Sequence, residues 1–390
     1  MRTPDRTPPA PFNPREIGAV VAMAITVGCL PAVIPVLLGA LLEAHRITGP
    51  ELGHIATAEA LGRVIASVSA GLFLKPVHLR RVAILCGTVM AATSLAMIPA
   101  GPTVLMLARF ANGLAAGLVL WMLVGLVALV RQPGRLFAVY VTVQAVVALL
   151  LAAAINGVLL PLWGPAGGYA VLALLGAAPL GCALFMPRAY PLADGPGRAR
   201  LPTARGLAGL FAAFLYLAGV FAIWVYLGPI ARQLGYDAPT VASAINAAIA
   251  MQIAGGACAV RLADRWSGAL TTGLAALVSA ACVIALLVVH QPAVLYLAAG
   301  LISFVWMFVA SFHLPMIQQC DPSGRSAIHT GTAQLGGIAT GPLVAAALVS
   351  GQDLRGAGLA SVVLFVGAAL VLAVTVGRSA TDRRATPRAG

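Results

Sequence analysis

The sequence predicts an all-α integral membrane protein, with twelve transmembrane helices arranged as two pseudo-symmetric bundles of six. Of its 390 residues, 61% are hydrophobic and only 9% are charged, whereas about 25% of the residues in a soluble globular domain are charged. Twelve apolar runs approach the length of about 20 residues that crosses a bilayer. Corresponding runs recur at an offset of about 190 residues, as in those that begin at Leu52 and Thr240. These observations exclude an ordinary soluble domain and intrinsic disorder.

Each apolar run is interpreted as one membrane span. The twelve predicted spans are 17–42, 52–74, 82–100, 103–130, 136–160, 169–187, 206–230, 239–260, 269–289, 292–317, 328–350 and 356–377. Gly and Pro mark many of the junctions, for example at Gly49-Pro50 and Gly164-Pro165. The longest polar interruption divides six spans from six. The predicted organisation is therefore an N-terminal bundle at 1–187, a cytoplasmic linker at 188–205, a C-terminal bundle at 206–377 and a cytoplasmic tail at 378–390.

The net charge of +13 describes membrane orientation and does not indicate a nucleic-acid partner. If the N-terminus is cytoplasmic, 19 of the 24 Lys and Arg residues lie in inside segments, and only Arg46, Arg232 and Arg355 lie in outside loops. Basic residues concentrate on the cytoplasmic side of membrane proteins. We therefore expect a multi-pass protein of the inner cell membrane with both termini cytoplasmic. The first apolar run is expected to be an uncleaved span and not a signal peptide.

Three charged residues fall inside the predicted spans. Glu59 and Arg63 are four residues apart in span two, so they lie on one helix face and can pair. Arg109 in span four has no carboxylate within four residues in its own helix. Each such charge costs about 2.5–3.5 kcal/mol at the bilayer centre unless it is compensated. The Glu59–Arg63 pair either fastens span two to a neighbour or provides a protonatable carboxylate with a switching partner.

Two cytoplasmic loops carry related motifs. The loop after span eight is Arg261-Leu-Ala-Asp264-Arg265-Trp-Ser-Gly268, and the loop after span two runs from Gly71 to Arg80-Arg81. With twelve spans and the duplication, these loops resemble the G-x-L-a-D-R-x-G-R-R signature of the major facilitator superfamily. The resemblance implies a charge latch that holds the cytoplasmic side closed, formed here by Arg80, Arg81, Asp264 and Arg265. In the first copy Lys75 stands where the family has Asp.

Two further motifs bear on this resemblance. Arg109-Phe-Ala-Asn112-Gly113 is similar to the family's span-four motif R-x-x-q-G-x-g, whose arginine faces the cavity and is often tied to proton coupling. Arg109, Gly113 and Ala116 recur at helical spacing, so small residues lie beside the charge. Span eleven carries Gly337-x-x-x-Gly341-Pro342, a predicted hinge that the family's drug–proton antiporters have in span five. Pro31 and Pro35 are expected to bend span one.

The remaining site candidates are aromatic side chains and one histidine. In the family, the corresponding helices line the central cavity, which makes cavity-lining candidates of Tyr216, Trp224, Tyr226 and Trp306. Lipid-facing packing is the alternative for these aromatic residues. His313 precedes Leu314-Pro315 near the cytoplasmic end of span ten and is either an interfacial residue or a proton carrier. The predicted substrate and proton-coupling set is Glu59, Arg63, Arg109, Asn112 and His313.

The predicted function is secondary transport of a small anionic or amphiphilic molecule by alternating access, with proton coupling and with export slightly favoured. No G-x-x-x-x-G-K-[ST] motif is present, so an ion gradient is the expected energy source. A transporter-derived receptor or scaffold is the alternative, because the first latch motif is degenerate. An intramembrane enzyme is disfavoured by the absence of paired carboxylates or a Ser–His arrangement. The scattered cysteines predict no metal or cofactor, and a monomer is expected.

Overall fold

The computed structural model describes residues 12–130, 132–191, 201–262, 265–350 and 353–385. These residues are almost entirely helical, and they form no β-structure beyond an isolated bridge between Ser350 and Asp353. The helices are α1 Pro14–Gly28, α2 Leu30–Glu43, α3 Gly49–Phe73, α4 Leu79–Ala96, α5 Pro102–Leu129, α6 Pro133–Ala154, α7 Leu160–Cys182, α8 Ala204–Gln233, α9 Ala238–Leu262, α10 Gly268–Val288, α11 Pro292–Ala310, α12 His313–Cys320, α13 Thr330–Leu348 and α14 Arg355–Ala385. We call α1–α7 the N-half and α8–α14 the C-half.

The predicted all-helical membrane class is confirmed, whereas the number of spans stays a prediction. Within the described residues, ten helices are long and apolar enough to cross a membrane. One of them, Arg135–Cys182, is 48 residues long and contains the predicted spans five and six. Predicted span eleven forms α13, which lies outside the ten. The predicted count of twelve therefore depends on dividing the long helix and including α13.

Three interruptions divide helices that would otherwise be continuous. Cys29 separates α1 from α2, two residues before Pro31, close to the predicted bend of span one. Gly164 lies inside α7 with φ of 59° and ψ of −157°, a conformation that favours glycine, at the junction predicted from Gly164-Pro165. A turn at Ser311 divides α11 from α12, although span ten was predicted as one run. A π-helical turn, Ile155–Leu159, joins α6 to α7.

Contacts between helix ends define two faces of the bundle. The ring of Phe12 packs on Tyr190, and the Tyr190 backbone nitrogen donates to the Pro76 carbonyl. We call this side the terminal face. On the other side, which we call the opposite face, Arg46 donates to the Ala100 carbonyl at 2.7 Å. The Leu354 nitrogen likewise donates to Gln233 there.

Small residues allow the helices that carry the candidate site to pack backbone to backbone. A Cβ atom on Gly113 of α5 would overlap the Glu59 carbonyl of α3, so the predicted role of this small-residue stripe is confirmed. In the C-half, Gly337 and Gly341 of α13 lie equally close to the backbone of α8. α13 continues through Pro342 without a break. The hinge function of Gly337, Gly341 and Pro342 therefore stays a prediction.

Several predicted regions fall partly outside the described residues. These parts include residues 192–200 of the predicted linker, Asp264 of the predicted latch and residues 386–390 of the predicted tail. Helix α14 continues to Ala385, beyond the predicted end of span twelve at residue 377. A helix of this length passes the expected membrane boundary because a polar sequence can remain helical in water once its apolar part has nucleated the turns.

Candidate functional site

The three predicted embedded charges meet at one point in the N-half. The Glu59 carboxylate accepts a hydrogen bond from Arg63 Nη2 at 3.1 Å through Oε1 and from Arg109 Nη1 at 2.8 Å through Oε2. The first of these is the expected pair within α3. The second joins α3 to α5 and was not predicted. Glu59 and Arg109 are each 1% exposed, so the carboxylate and one guanidinium are fully withdrawn from the surface.

Helix packing sets this geometry. Along the α3–α5 contact, Cβ atoms on Gly62, Gly113 and Gly117 would overlap backbone oxygens of the facing helix. The close approach places Glu59 and Arg109 within reach although they are 50 residues apart in the chain. The Arg109 guanidinium also lies over the ring of Tyr169 on α7, 5.5 Å from its centroid. A cation placed in this way is stabilised by the negative face of the ring.

The cluster has one carboxylate for two guanidinium groups and therefore carries one excess positive charge. Several of its donors have no hydrogen-bond partner among the described residues, namely Arg63 Nε, Arg109 Nε and Arg109 Nη2. Guanidinium donors form a planar fork that matches carboxylate and phosphate oxygens. The cluster is thus chemically suited to attract an anionic group and to respond to the protonation state of Glu59.

A small cavity of about 80 Å³ lies between the two halves beside this cluster. Glu59 and Arg63 contribute to its N-half wall, and aromatic and apolar side chains form the C-half wall. Its lining residues from the C-half include Phe221, Trp224, Leu335, Ile338 and Pro342. Arg109 does not line it, which corrects the expectation that Arg109 itself faces the cavity. Arg109 instead lies behind Glu59, because α5 packs against the far side of α3.

A larger cavity of about 820 Å³ opens between the halves toward the opposite face. It is bordered by α2, the π-helical turn, and the ends of α8 and α9 that meet there. Its charged side chains, Glu43 and Arg232, form an ion pair at 2.8 Å that is about half exposed. Size alone would favour this cavity as the ligand site. We assign the candidate site to the smaller one, because only that cavity contains the buried charges.

The four predicted cavity aromatics occupy different positions. Trp224 lines the small cavity, and Trp306 packs on it with ring centroids 6.0 Å apart. Tyr226 is buried and donates to the Gly49 carbonyl at 2.9 Å, on the opposite-face side of the cavity. Tyr216 lies in the interior of the C-half against His313 and Phe365, so its assignment to the cavity wall was wrong. None of the four is exposed as lipid-facing packing would require.

Asn112 and His313 do not join the charge cluster. Asn112 is 2% exposed, and its amide nitrogen faces α4, where Met90, Thr93 and Ser94 supply acceptors. Asn112 therefore fastens α5 to α4. His313 is 1% exposed, so the interfacial interpretation was wrong. Its neighbours are Tyr216 and Gln334 in the C-half, because the turn at Ser311 directs the start of α12 into the bundle.

The predicted latch residues lie at the terminal face. Arg80 is half-buried and donates from Nε to the Met186 carbonyl at 2.7 Å, a contact within the N-half. Arg81 and Arg265 are exposed. Because Asp264 lies outside the described residues, the latch stays a prediction.

Sequence reasoning missed Tyr169, and it left Phe221, one of the aromatic residues of predicted span seven, out of the four cavity candidates. Tyr169 is completely buried under Arg109, and Phe221 forms part of the small cavity. Nothing in the local sequence separates these two aromatics from others in apolar runs. The only available signal was the unpaired charge of Arg109, which requires a partner on some neighbouring helix.

Contacts between the halves connect the cavity with the opposite face. Trp224 Nε1 donates to the Pro31 carbonyl at 3.4 Å, and Tyr226 donates to Gly49. The Arg232–Glu43 ion pair adds a third link. All three join helices of different halves, from the small cavity outward to the opposite face. The small cavity is therefore separated from the opposite face by these three pairs of polar groups.

Comparison with known proteins identifies the class. The chain matches the Major Facilitator Superfamily over residues 17–324, most of its length, and it belongs to this superfamily of membrane transporters. No curated protein sequence matches it.

Solved structures agree with this class. A mutant of the nucleoside transporter NupG superimposes with a TM-score of 0.70 at 10% identity, covering 93% of this chain and 99% of that one. A bacterial homologue of the human lysosomal transporter Spinster, in an inward-facing and unoccupied conformation, gives 0.64 at 13% identity, with 94% and 95% covered. At such identities the likeness establishes the fold, and the predicted superfamily is confirmed.

Proposed function

We propose that this chain is a proton-coupled secondary transporter of a small anionic or amphiphilic molecule, with Glu59 as the proton site and Arg63 as the charge presented to substrate. The observation that carries the proposal is the sharing of one buried carboxylate by two arginines at the wall of a cavity between the halves. Alternating access moves two bundles about a site between them. A group that changes charge at this position can therefore couple ligand binding to the movement.

The coupling follows from charge balance. While Glu59 is ionised, it holds both Arg63 and Arg109 and leaves one positive charge in excess. When Glu59 takes up a proton, its carboxyl group becomes neutral and its hold on Arg63 weakens. Arg63, whose side chain is 16% exposed, is then free to bind an anionic group in the cavity. Arg109 remains beneath, where Tyr169 supports it.

Arg109 and Arg63 therefore have different proposed roles. Arg63 lines the cavity and touches the substrate. Arg109 is a positioning residue, because it holds Glu59 in place and contributes a positive electrostatic potential without touching the substrate. Because Glu59 and a bound anion compete for the Arg63 guanidinium, substrate binding at Arg63 and proton binding at Glu59 are linked.

The direction of transport follows from the same charge balance. Because proton uptake by Glu59 frees Arg63 for the substrate, proton and substrate bind together, and an inward proton gradient would drive symport. The antiport and the slightly favoured export expected from the sequence would require the opposite linkage, in which protonation releases the substrate, and they stay predictions. The charge distribution of the loops supports cytoplasmic termini in the inner membrane. Among the structural neighbours, one is described as a nucleoside transporter and another as a homologue of a lysosomal transporter. We propose an anionic or amphiphilic cargo because of the excess positive charge beside the cavity.

The test uses purified full-length protein in proteoliposomes with an imposed proton gradient. A panel of small carboxylates and amphiphilic dyes is first screened for thermal stabilisation of the wild-type protein. Each hit is then measured for gradient-driven accumulation with wild type, Glu59→Gln, Arg63→Gln and Glu51→Gln. Glu51 lies in the same helix, in a capping box with Thr48, where Gln is also accepted, and it provides the matched control.

We expect Glu51→Gln to transport like wild type, Glu59→Gln to lose gradient-driven accumulation, and Arg63→Gln to lose the stabilisation by anionic hits. Accumulation that is unchanged in Glu59→Gln would show that the proton site lies elsewhere. Hits that bind wild-type protein but are never accumulated would favour the alternative of a transporter-derived receptor.

A further inference from the structure

The interior of the C-half contains a second group of polar side chains, separate from the charges around Glu59. It consists of Tyr216 on α8, Thr272 and Ser279 on α10, and His313 on α12, and we call it the C-half polar cluster. All four residues are at most 1% exposed. Each has a buried polar atom with no hydrogen-bond partner among the described protein residues, namely Tyr216 Oη, Thr272 Oγ1, Ser279 Oγ and His313 Nε2.

Helix packing brings these side chains together. The rings of Tyr216 and His313 meet edge to face with centroids 5.6 Å apart. The Tyr216 and Ser279 hydroxyl groups lie near each other, outside the distance and angle limits of a hydrogen bond. Thr272 and Ser279 are seven residues apart and therefore lie on the same face of α10. The start of α10 touches α12, since a Cβ atom on Gly268 would overlap the Met316 backbone. One turn further along α10, Thr272 is at the level of the start of α12.

His313 provides a hydrogen-bond donor, Nε2–H, to the C-half polar cluster. Its Nδ1 lies 2.9 Å from the Gln334 amide nitrogen. With that nitrogen as donor, Nδ1 is the acceptor, and the proton of the neutral ring is on Nε2. The Nε2–H group therefore requires an acceptor. Hydroxyl groups both donate and accept, so the cluster as a whole offers donors and acceptors in mixed directions.

Each of these groups requires a partner. Thr272 and Ser279 are about 10 Å apart along α10, so a single partner cannot serve all four. A polar group without a hydrogen bond is strongly unfavourable in a dry interior, and more so at membrane depth. Water has the matching chemistry, because one buried molecule typically makes about three hydrogen bonds as both donor and acceptor. A divalent metal is a poorer match, since the described residues contain no group of three or more His, Cys, Asp or Glu able to hold one.

We propose that the C-half polar cluster is an internal water-binding site, in which at least two water molecules bind to Tyr216, Thr272, Ser279 and His313. The site lies inside the C-half and not in the cavity between the halves. It is independent of the proposed proton coupling, and it stands even if Glu59 carries no proton in the transport cycle.

X-ray radiolytic labelling in H₂¹⁸O, read by mass spectrometry, tests the proposal on full-length protein in nanodiscs. The method oxidises side chains next to bound water even where bulk solvent has no access. Tyr226 is the internal reference, because it is also fully buried but its hydroxyl is bonded to Gly49. We expect ¹⁸O labelling of Tyr216 to exceed that of Tyr226 by about twofold or more, since a buried water has several partners at the site.

Substitutions then test whether the ¹⁸O labelling of Tyr216 depends on the other polar side chains of the C-half polar cluster. Ser279→Ala removes one water partner and is expected to lower Tyr216 labelling about twofold. Ser361→Ala is the matched control, because this buried hydroxyl already donates to the Gly219 carbonyl at 2.8 Å and is expected to leave the labelling unchanged. Thr272→Val, of nearly the same shape, replaces Ser279→Ala if that variant does not fold. Labelling of Tyr216 no higher than that of Tyr226, or unaltered by both cluster variants, would overturn the proposal.

Discussion

The two halves of this transporter bury polar groups in different ways. The N-half buries charges, with the Glu59 carboxylate held between Arg63 and Arg109. The C-half polar cluster around Tyr216 and His313 has no acidic side chain, and four of its buried polar atoms have no hydrogen-bond partner among the described protein residues. The two halves are both helical bundles, but they bury different kinds of polar group.

The physical reason for this difference lies in the cost of burial. A charge at membrane depth needs an opposite charge within direct contact, which only closely packed helices supply. A neutral hydroxyl or imidazole needs only hydrogen bonds, which water can provide. In the proposed coupling, the N-half cluster is the part whose charge changes, and the C-half polar cluster takes no part.

The largest effect is expected from neutralising Glu59. Glu59→Gln leaves the Arg63 and Arg109 guanidiniums without a counter-ion, and breaking a buried ion pair in this way costs about 3–5 kcal/mol. We expect a large fall in the thermal unfolding temperature of the detergent-purified protein, followed by intrinsic tryptophan fluorescence. The same measurement on Ser279→Ala should show a much smaller change, because that variant removes a neutral group.

A double variant makes this comparison sharper. Glu59→Gln combined with Arg109→Gln removes one charge of each sign and is expected to recover part of the lost stability. If the double variant is no more stable than Glu59→Gln alone, the two side chains do not compensate each other, and the difference between the halves is not one of charge pairing.

An intermediate loss of stability is expected from substituting the glycines that allow close helix packing in both halves. Gly113→Ala places a methyl group against the Glu59 carbonyl, and Gly341→Ala places one against the Ala218 carbonyl. Each is expected to cost about 1–3 kcal/mol through overpacking, measured as a lower unfolding temperature. Gly113→Ala should also impair transport, because it moves α3 relative to Arg109.

Open helical glycines provide the controls for these two variants. At Gly18 in α1 and Gly273 in α10, no atom beyond the adjacent residues and the local helix backbone lies within 4 Å of the position that an alanine methyl group would take. Gly18→Ala and Gly273→Ala should therefore be neutral or slightly stabilising. A loss at the open sites as large as at Gly113 would mean that the close helix contact is not the cause.

The smallest effect concerns a charge that the C-half does contain, at the terminal face. Asp321 accepts hydrogen bonds from the backbone and hydroxyl groups of Ser323 and Ser326. These bonds hold the pKa of the Asp321 carboxyl well below its usual value. The stabilisation is therefore fully present above the unfolded-state pKa of about 3.9 and is lost as the pH falls below it.

We expect the unfolding temperature to fall between about pH 5 and pH 3, and Asp321→Asn to show a smaller fall over that range. Glu16→Gln, at the exposed start of α1, is the control and should keep the wild-type dependence. An unchanged pH dependence in Asp321→Asn would show that the turn does not contribute through its charge.

Much of the fold was accessible from local patterns. Apolar runs predicted most helix bounds to within a few residues, although α7 begins nine residues before predicted span six and α14 ends eight residues after predicted span twelve. Gly164-Pro165 and Pro31 marked two of the three interruptions. The turn at Ser311 was missed because nothing polar enough interrupts that run. The spacing of Glu59 and Arg63 predicted their pair, since both lie on one helix and the period of 3.6 residues places them on one face.

By itself, the sequence determined the membrane class, the embedded charges and the contact inside α3, because each depends on residues close together in the chain. Tertiary structure alone decided that Arg109 binds Glu59 and lies over Tyr169, that Asn112 faces α4, and that His313 is buried beside Tyr216. These contacts depend on how each helix is rotated about its axis against its neighbours. In a helix that is apolar on most sides, the hydrophobic pattern leaves that rotation undetermined, and the packing of small residues between helices sets it.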